Sequence, residues 1–143
     1  MVVGVLMLVA VGAWLLPSPP SYPSDRMTGW KLDYGYGGPG FDPTTAQTTT
    51  VIPVEVTRPT CAPNDVSWLA TPVVTYTPVS VIIQLRMSDT FDSTKCYPVD
   101  SAGRRMIGAY LSGIYLAVHL SEPLRGRALF DGSTSPPAAR PYP

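Results

Sequence analysis

A chain of 143 residues is one domain's worth of polypeptide, and 17 prolines with 12 glycines restrict it to short elements and long connections even though 45% of its residues are hydrophobic. Ten basic and ten acidic side chains cancel, and no basic run is interleaved with aromatics, which argues against a nucleic-acid partner.

The first segment, Met1 to Leu16, carries no charged side chain and stops abruptly at Pro17-Ser18-Pro19-Pro20. Such a run is shorter than the roughly 20 apolar residues that span a bilayer and reads as a signal peptide over residues 1–16. Val11-Gly12-Ala13 offers small residues for cleavage after Ala13, and later cuts near Ser18 or Ser21 keep the window at 13–21. Because the basic n-region is missing, retention as a membrane anchor is the alternative. Both readings send the chain into the secretory pathway.

Residues 17–48 form the expected turn-rich arm. Tyr34-Gly35-Tyr36-Gly37-Gly38-Pro39-Gly40-Phe41 cannot hold a helix. Trp30, Tyr34, Tyr36 and Phe41 are then free either to meet a partner or to pack back on the domain. The folded domain is expected over 49–120. Thr49 to Thr57 alternates, with Ile52, Val54 and Val56 on one side, and Pro53 makes it an edge strand. Val66 to Tyr76 fits one or two short strands around Thr71-Pro72. Val79 to Met87 alternates and favours a strand, with a helix left open. Ser88 to Ser101 is a polar loop in which Asp89 and Asp92 read as turn residues.

From Ser101 to Leu120 the residues Met106, Ile107, Tyr110, Leu111, Ile114, Tyr115 and Val118 recur at spacings of three and four, which predicts the main helix. Gly108 with Ser112, and Ala109 with Gly113 and Ala117, form ridges of small residues that would let another backbone approach. Residues 121–143 return to Pro, Gly, Ser and Arg and read as a disordered tail. The expected fold is therefore α+β: a small disulfide-linked domain of short strands and one C-terminal helix, between an irregular N-terminal arm and a disordered Pro-rich tail.

Cys61 and Cys96 are the only cysteines, and in an oxidising compartment an even count is usually paired; unpaired or intermolecular thiols are the alternative. Asn64 is followed by Asp65-Val66 and is no N-glycosylation acceptor, so any sugar would be O-linked, at Thr44, Thr45 or Thr48 to Thr50. His119 is the only histidine and stands apart from any nucleophile motif, and two distant cysteines with one histidine do not make a zinc site. No catalytic residue, metal or cofactor is expected.

The run Arg58-Pro59-Thr60-Cys61-Ala62-Pro63-Asn64-Asp65-Val66-Ser67-Trp68 resembles the central segment of herpesvirus envelope glycoprotein L in its alphaherpesvirus members. Cys61, Pro63, Asp65, Val66 and Trp68 carry the first part of the likeness. Tyr76-Thr77-Pro78-Val79 carries the second, with Thr77 and Val79 where the family has Asn and an aromatic. Leu111-Ser112-Gly113-Ile114-Tyr115 is similar to part of the family's later helix, so the likeness spans Cys61 to Tyr115. It implies a helix after Pro78 and a small secreted subunit without its own anchor. That subunit would escort a larger partner, the glycoprotein H ectodomain, to the virion envelope and the host cell surface. Through that partner it would assist glycoprotein B in membrane fusion. The partner-binding residues on this reading are Trp30, Tyr34, Tyr36, Phe41, Trp68, Tyr76, Gly108, Ser112, Gly113 and Tyr115. The alternative is an unrelated secreted or signal-anchored structural protein of the surface, also without enzymatic activity.

Overall fold

The structure is a computed structural model that describes residues 20, 22, 26–35, 40–59, 61–92, 96, 101–102 and 113–142. Its elements are β1 (Met27–Thr28), β2 (Trp30–Leu32), a 3-10 turn (Pro43–Thr45), β3 (Val51–Val56), β4 (Val73–Tyr76), β5 (Ser80–Arg86), β6 (Ile114–His119), β7 (Ala128–Asp131) and β8 (Ala138–Ala139). The strands form two sheets. In one, β5 is central: β4 lies along one side, β7 pairs with it in parallel on the other, and β1 and β8 complete the set. The second sheet has the order β2-β3-β6 and is antiparallel throughout.

The expected α+β class is thus corrected to an all-β, two-sheet architecture, and the described residues contain no α-helix. Of the predicted helix, residues 103–112, including Gly108 and Ser112, lie outside the described residues, and 114–119 is strand β6. Ile114 and Val118 are four apart, a spacing that serves a helix face and a strand face equally. Leu116 between them decides the period. Ile114, Leu116 and Val118 stand opposite Val56, Val54 and Ile52, and β-branched and aromatic residues suit the pleated, half-buried surface that results.

Strand β5 follows its alternation, and the helix that the glycoprotein L likeness implies after Pro78 is absent. All of Ser80 to Leu85 is buried because β5 has neighbours on both sides and cover on both faces. Strand β3 is central rather than an edge strand, despite Pro53. The Asp33 N–H donates to the Pro53 carbonyl at 3.1 Å, so Pro53 faces β2 just beyond the end of that strand. The Asp33 carbonyl that a Pro53 donor would have met is taken by the N–H of Phe41. The missing donor therefore leaves no acceptor unsatisfied.

Neither flank is irregular in the way the sequence suggests. The arm supplies β1 and β2, and the chain passes from one sheet to the other at Gly29 between them. Trp30 and Leu32 enter the core, and the Trp30 indole N–H donates to the Ile83 carbonyl at 3.0 Å, tying the two sheets together. The tail supplies β7 and β8. Asp131, at the end of β7, is wholly buried, and its carboxylate accepts from the N–H groups of Trp30 and Ser133 and pairs with Arg140 at 2.6 Å. Arg140 also donates through Nε to the Trp30 carbonyl at 2.7 Å. A proline-rich composition removed the propensity signal here, but one buried ion pair and the Tyr142 ring packed on Phe41 hold the segment down.

One hydrophobic core joins both sheets: Ile52, Val54, Val56 and Val118 from one and Val81, Ile83, Leu85 and Leu129 from the other, with Trp30, Trp68 and Leu124 filling between. Each fully buried aliphatic or aromatic side chain contributes about 1.5 to 3 kcal/mol relative to exposure.

Candidate partner-binding surface

Cys61 and Cys96 form a disulfide with a Cα separation of 4.8 Å across 35 residues of chain. It joins the loop after β3 to the loop after β5. Trp68 lies in the core at 1% exposure, with the Phe91 ring 6.1 Å away.

The predicted partner-binding residues separate into three groups. Trp30, Phe41 and Trp68 are buried in the chain's own core. Tyr36, Gly108 and Ser112 lie outside the described residues. Tyr34, Tyr76, Gly113 and Tyr115 reach the surface, but not together. Tyr34 is 48% exposed and donates to the Pro141 carbonyl. Tyr76 on β4 is half-buried, accepts from the Ser121 N–H and lies beneath the Arg127 guanidinium. Gly113 and Tyr115 are neighbours at the start of β6.

The Leu120 N–H donates to the Thr50 carbonyl at 2.8 Å, so even-numbered residues of β6 turn their peptide groups toward β3. The odd ones, Tyr115, Ala117 and His119, point both N–H and C=O the other way. Among the described residues no strand pairs with that side. An open edge of this kind is normally blunted by charge, proline, a bulge or brevity. Ile114-Tyr115-Leu116-Ala117-Val118-His119 has no Asp, Glu, Lys, Arg or Pro, runs for six residues and keeps unbroken register with β3.

The other edges are better guarded. Strand β4 has four residues and is bracketed by Pro72 and Pro78. Strand β2 has three, and its outward Trp30 carbonyl is occupied by Arg140.

Beside the open edge, the outer face of the sheet carries a cross-strand row of Lys31, Glu55 and Tyr115. Lys31 Nζ lies 3.0 Å from Glu55 Oε2. Gly113 makes this possible, since a Cβ there would collide with the Glu55 side chain. The small residue that the sequence suggests for close approach of another backbone instead admits a side chain of its own sheet. The opposite face of β6 presents Ile114 and Leu116, both half-buried. An added strand would find open backbone groups, apolar side chains on one face and Tyr115, Ala117 and His119 on the other.

On the helix expected over 114–119 no peptide group would be open, so this edge has no counterpart in that expectation. The signal was present in the alternation of Ile114, Leu116 and Val118 with Tyr115, Ala117 and His119. Likewise, Asp131 after Ala128-Leu129-Phe130 gave the cue that an acidic residue ends a buried strand.

Among the described residues no group of three or more His, Cys, Asp and Glu could hold a metal ion, and no helix is long and apolar enough to cross a membrane. The chain matches no protein-family model, and comparison with curated proteins and with solved structures returns no significant relative.

Proposed function

We propose that this chain is a non-catalytic subunit of the secretory pathway that binds a larger ectodomain by accepting one of its extended segments along the open edge of β6. The observation that carries the reading is the edge of β6, six residues without Asp, Glu, Lys, Arg, proline or bulge that no strand among the described residues pairs with, whereas the other described edges are short or covered. Main-chain hydrogen bonds to Tyr115, Ala117 and His119 would supply registration. Burial of Ile114 and Leu116 would supply affinity. The Cys61–Cys96 disulfide is compatible with an oxidising compartment, where such a subunit would mature.

The likeness to glycoprotein L gives the partner its class: a viral envelope ectodomain of the glycoprotein H type, acting with glycoprotein B in membrane fusion at the virion envelope and host cell surface. The subunit would then be peripheral to the membrane through its partner. Strands at 80–86 and 114–119 stand where that family has helices, so support for this partner rests on the Cys61 to Trp68 run and on the apolar segment Met1 to Leu16 read as an export signal. A second reading is a signal-anchored surface protein, in which the uncharged apolar run Met1 to Leu16 is retained as the anchor.

Co-expression with a glycoprotein H ectodomain, followed by affinity capture, tests the proposal. Ala117→Pro removes an outward N–H without touching the β3 ladder, and it should cut capture by about tenfold or more, the loss of one hydrogen bond plus the clash of the ring with an incoming strand. Equal capture of wild type and A117P, or none by wild type, rejects strand addition to this partner class. N-terminal sequencing of the mature chain separates the subunit from the anchored alternative.

A further inference from the structure

The segment between Asp42 and Val51 holds five threonines, Thr44, Thr45, Thr48, Thr49 and Thr50, and their hydroxyls differ in availability. Thr44 Oγ1 donates to Asp42 Oδ1 at 2.7 Å and Thr45 Oγ1 to the Asp42 carbonyl at 2.8 Å, both as part of the cap on the 3-10 turn. Thr49 is half-buried and donates to the Val51 carbonyl at 2.9 Å. Thr48 is exposed, and its hydroxyl reaches the Thr45 carbonyl only at a stretched 3.4 Å. Thr50 is exposed and its hydroxyl has no partner among the described residues, while its backbone carbonyl is fixed by the Leu120 N–H.

We propose that Thr50, with Thr48 beside it, is a site of O-glycosylation. The inference rests on the secretory reading, since the co-reactant is a nucleotide-activated N-acetylhexosamine used by a host transferase. In the step, the threonine Oγ attacks the anomeric carbon of the sugar and the bond from that carbon to the diphosphate oxygen breaks. The nucleoside diphosphate leaves, and the hydroxyl proton passes to a base on the transferase. A threonine already donating its proton to a turn carbonyl or a capping carboxylate must give up that bond first, whereas Thr50 gives up nothing. Asn64 is the only asparagine and Asp65-Val66 follows it, so no N-linked sugar competes. A sugar on Thr50 would project from the end of the β3–β6 pair, opposite Leu120. It would leave the edge from Tyr115 to His119 open.

The test is intact-mass measurement of the full chain secreted from mammalian cells, with peptide mapping of residues 42–58. The expected result is a mass above that of the polypeptide by hexosamine-based sugars, mapped to Thr48 and Thr50 and lost from the T48A/T50A variant. A secreted chain at its bare polypeptide mass overturns the proposal, as does sugar mapped to Thr44, Thr45 or Thr49 and retained in T48A/T50A. A chain that never reaches the secretory pathway overturns the localisation reading beneath it, and is told apart by its recovery inside the cell with an unprocessed N-terminus.

Discussion

Replacing Arg140 with Met removes the guanidinium that, among the described residues, meets the Asp131 carboxylate, while keeping most of the aliphatic stem. Asp131 is fully buried, and without Arg140 its charge is left with the N–H groups of Trp30 and Ser133 alone. Breaking a buried ion pair from one side costs about 3 to 5 kcal/mol. Because the Arg140 side chain is 31% exposed, its share is partly screened, which sets the expected loss near ~2 to 3 kcal/mol, with the bond to the Trp30 carbonyl included. Against a total of about 5 to 15 kcal/mol for a domain, that is a large fraction. Urea unfolding followed by tryptophan fluorescence reads it directly, since Trp30 lies at the junction. The double variant D131N/R140M, which removes the stranded charge, should recover at least half of the loss. A midpoint for R140M unchanged from wild type, or a double variant less stable than the single one, would refute the idea that this pair anchors the C-terminal segment.

Further outcomes follow from the same geometry. Cys61→Ser with Cys96→Ser opens a loop of 35 residues and should cost about 3 to 4 kcal/mol on the chain-entropy model, seen as a matching fall in the urea midpoint under non-reducing conditions. Gly113→Ala pushes Glu55 off its place and breaks its pairing with Lys31; a loss of about 1 to 2 kcal/mol is expected, against little effect for Lys31→Ala, whose exposed pair is worth less than about 1 kcal/mol. Bonds from the Thr44 and Ser67 hydroxyls and N–H groups, and from the Arg127 guanidinium, hold the carboxyls of Asp42, Asp65 and Glu122 below their ordinary values of 3.8, 3.8 and 4.5. Since the folded state lowers these values, the stability they add is full above the ordinary carboxylate range and is lost as pH falls through the depressed ones. Stability should therefore drop on acidification below about pH 4, and a midpoint flat from pH 6 to pH 2 would contradict it.

How much of this was legible in the sequence depended on whether the hydrophobic period was unambiguous. For β3 and β5, Ile52, Val54 and Val56, and then Val81, Ile83 and Leu85, repeat every second residue, and the strands are where alternation puts them. For 101–120, residues four apart satisfied both periods, and the helical choice hid the open edge of β6. The two flanks failed for another reason. Short strands such as Trp30–Leu32 and Ala138–Ala139 carry almost no local propensity, and they exist because other strands bind them: Val54 to Val56 for the first, across more than 20 residues, and Phe130 and Asp131 for the second, across a short loop. Hydrogen bonds of that kind leave no periodic trace. Whether aromatics such as Trp30 and Phe41 faced inward was open for the same reason, since only the sheet crossing at Gly29 and the loop closed by Asp33 turn them to the core.

Amide hydrogen exchange along residues 114–119, measured on the lone chain and on its complex with the captured ectodomain, bears most directly on strand addition. The account predicts an alternating pattern in the lone chain, with the amides of Leu116 and Val118 slow and those of Tyr115, Ala117 and His119 fast, and slowing of the fast set once the partner is bound. Tyr115, Ala117 and His119 already protected in the lone chain, or just as fast in the complex, would contradict it.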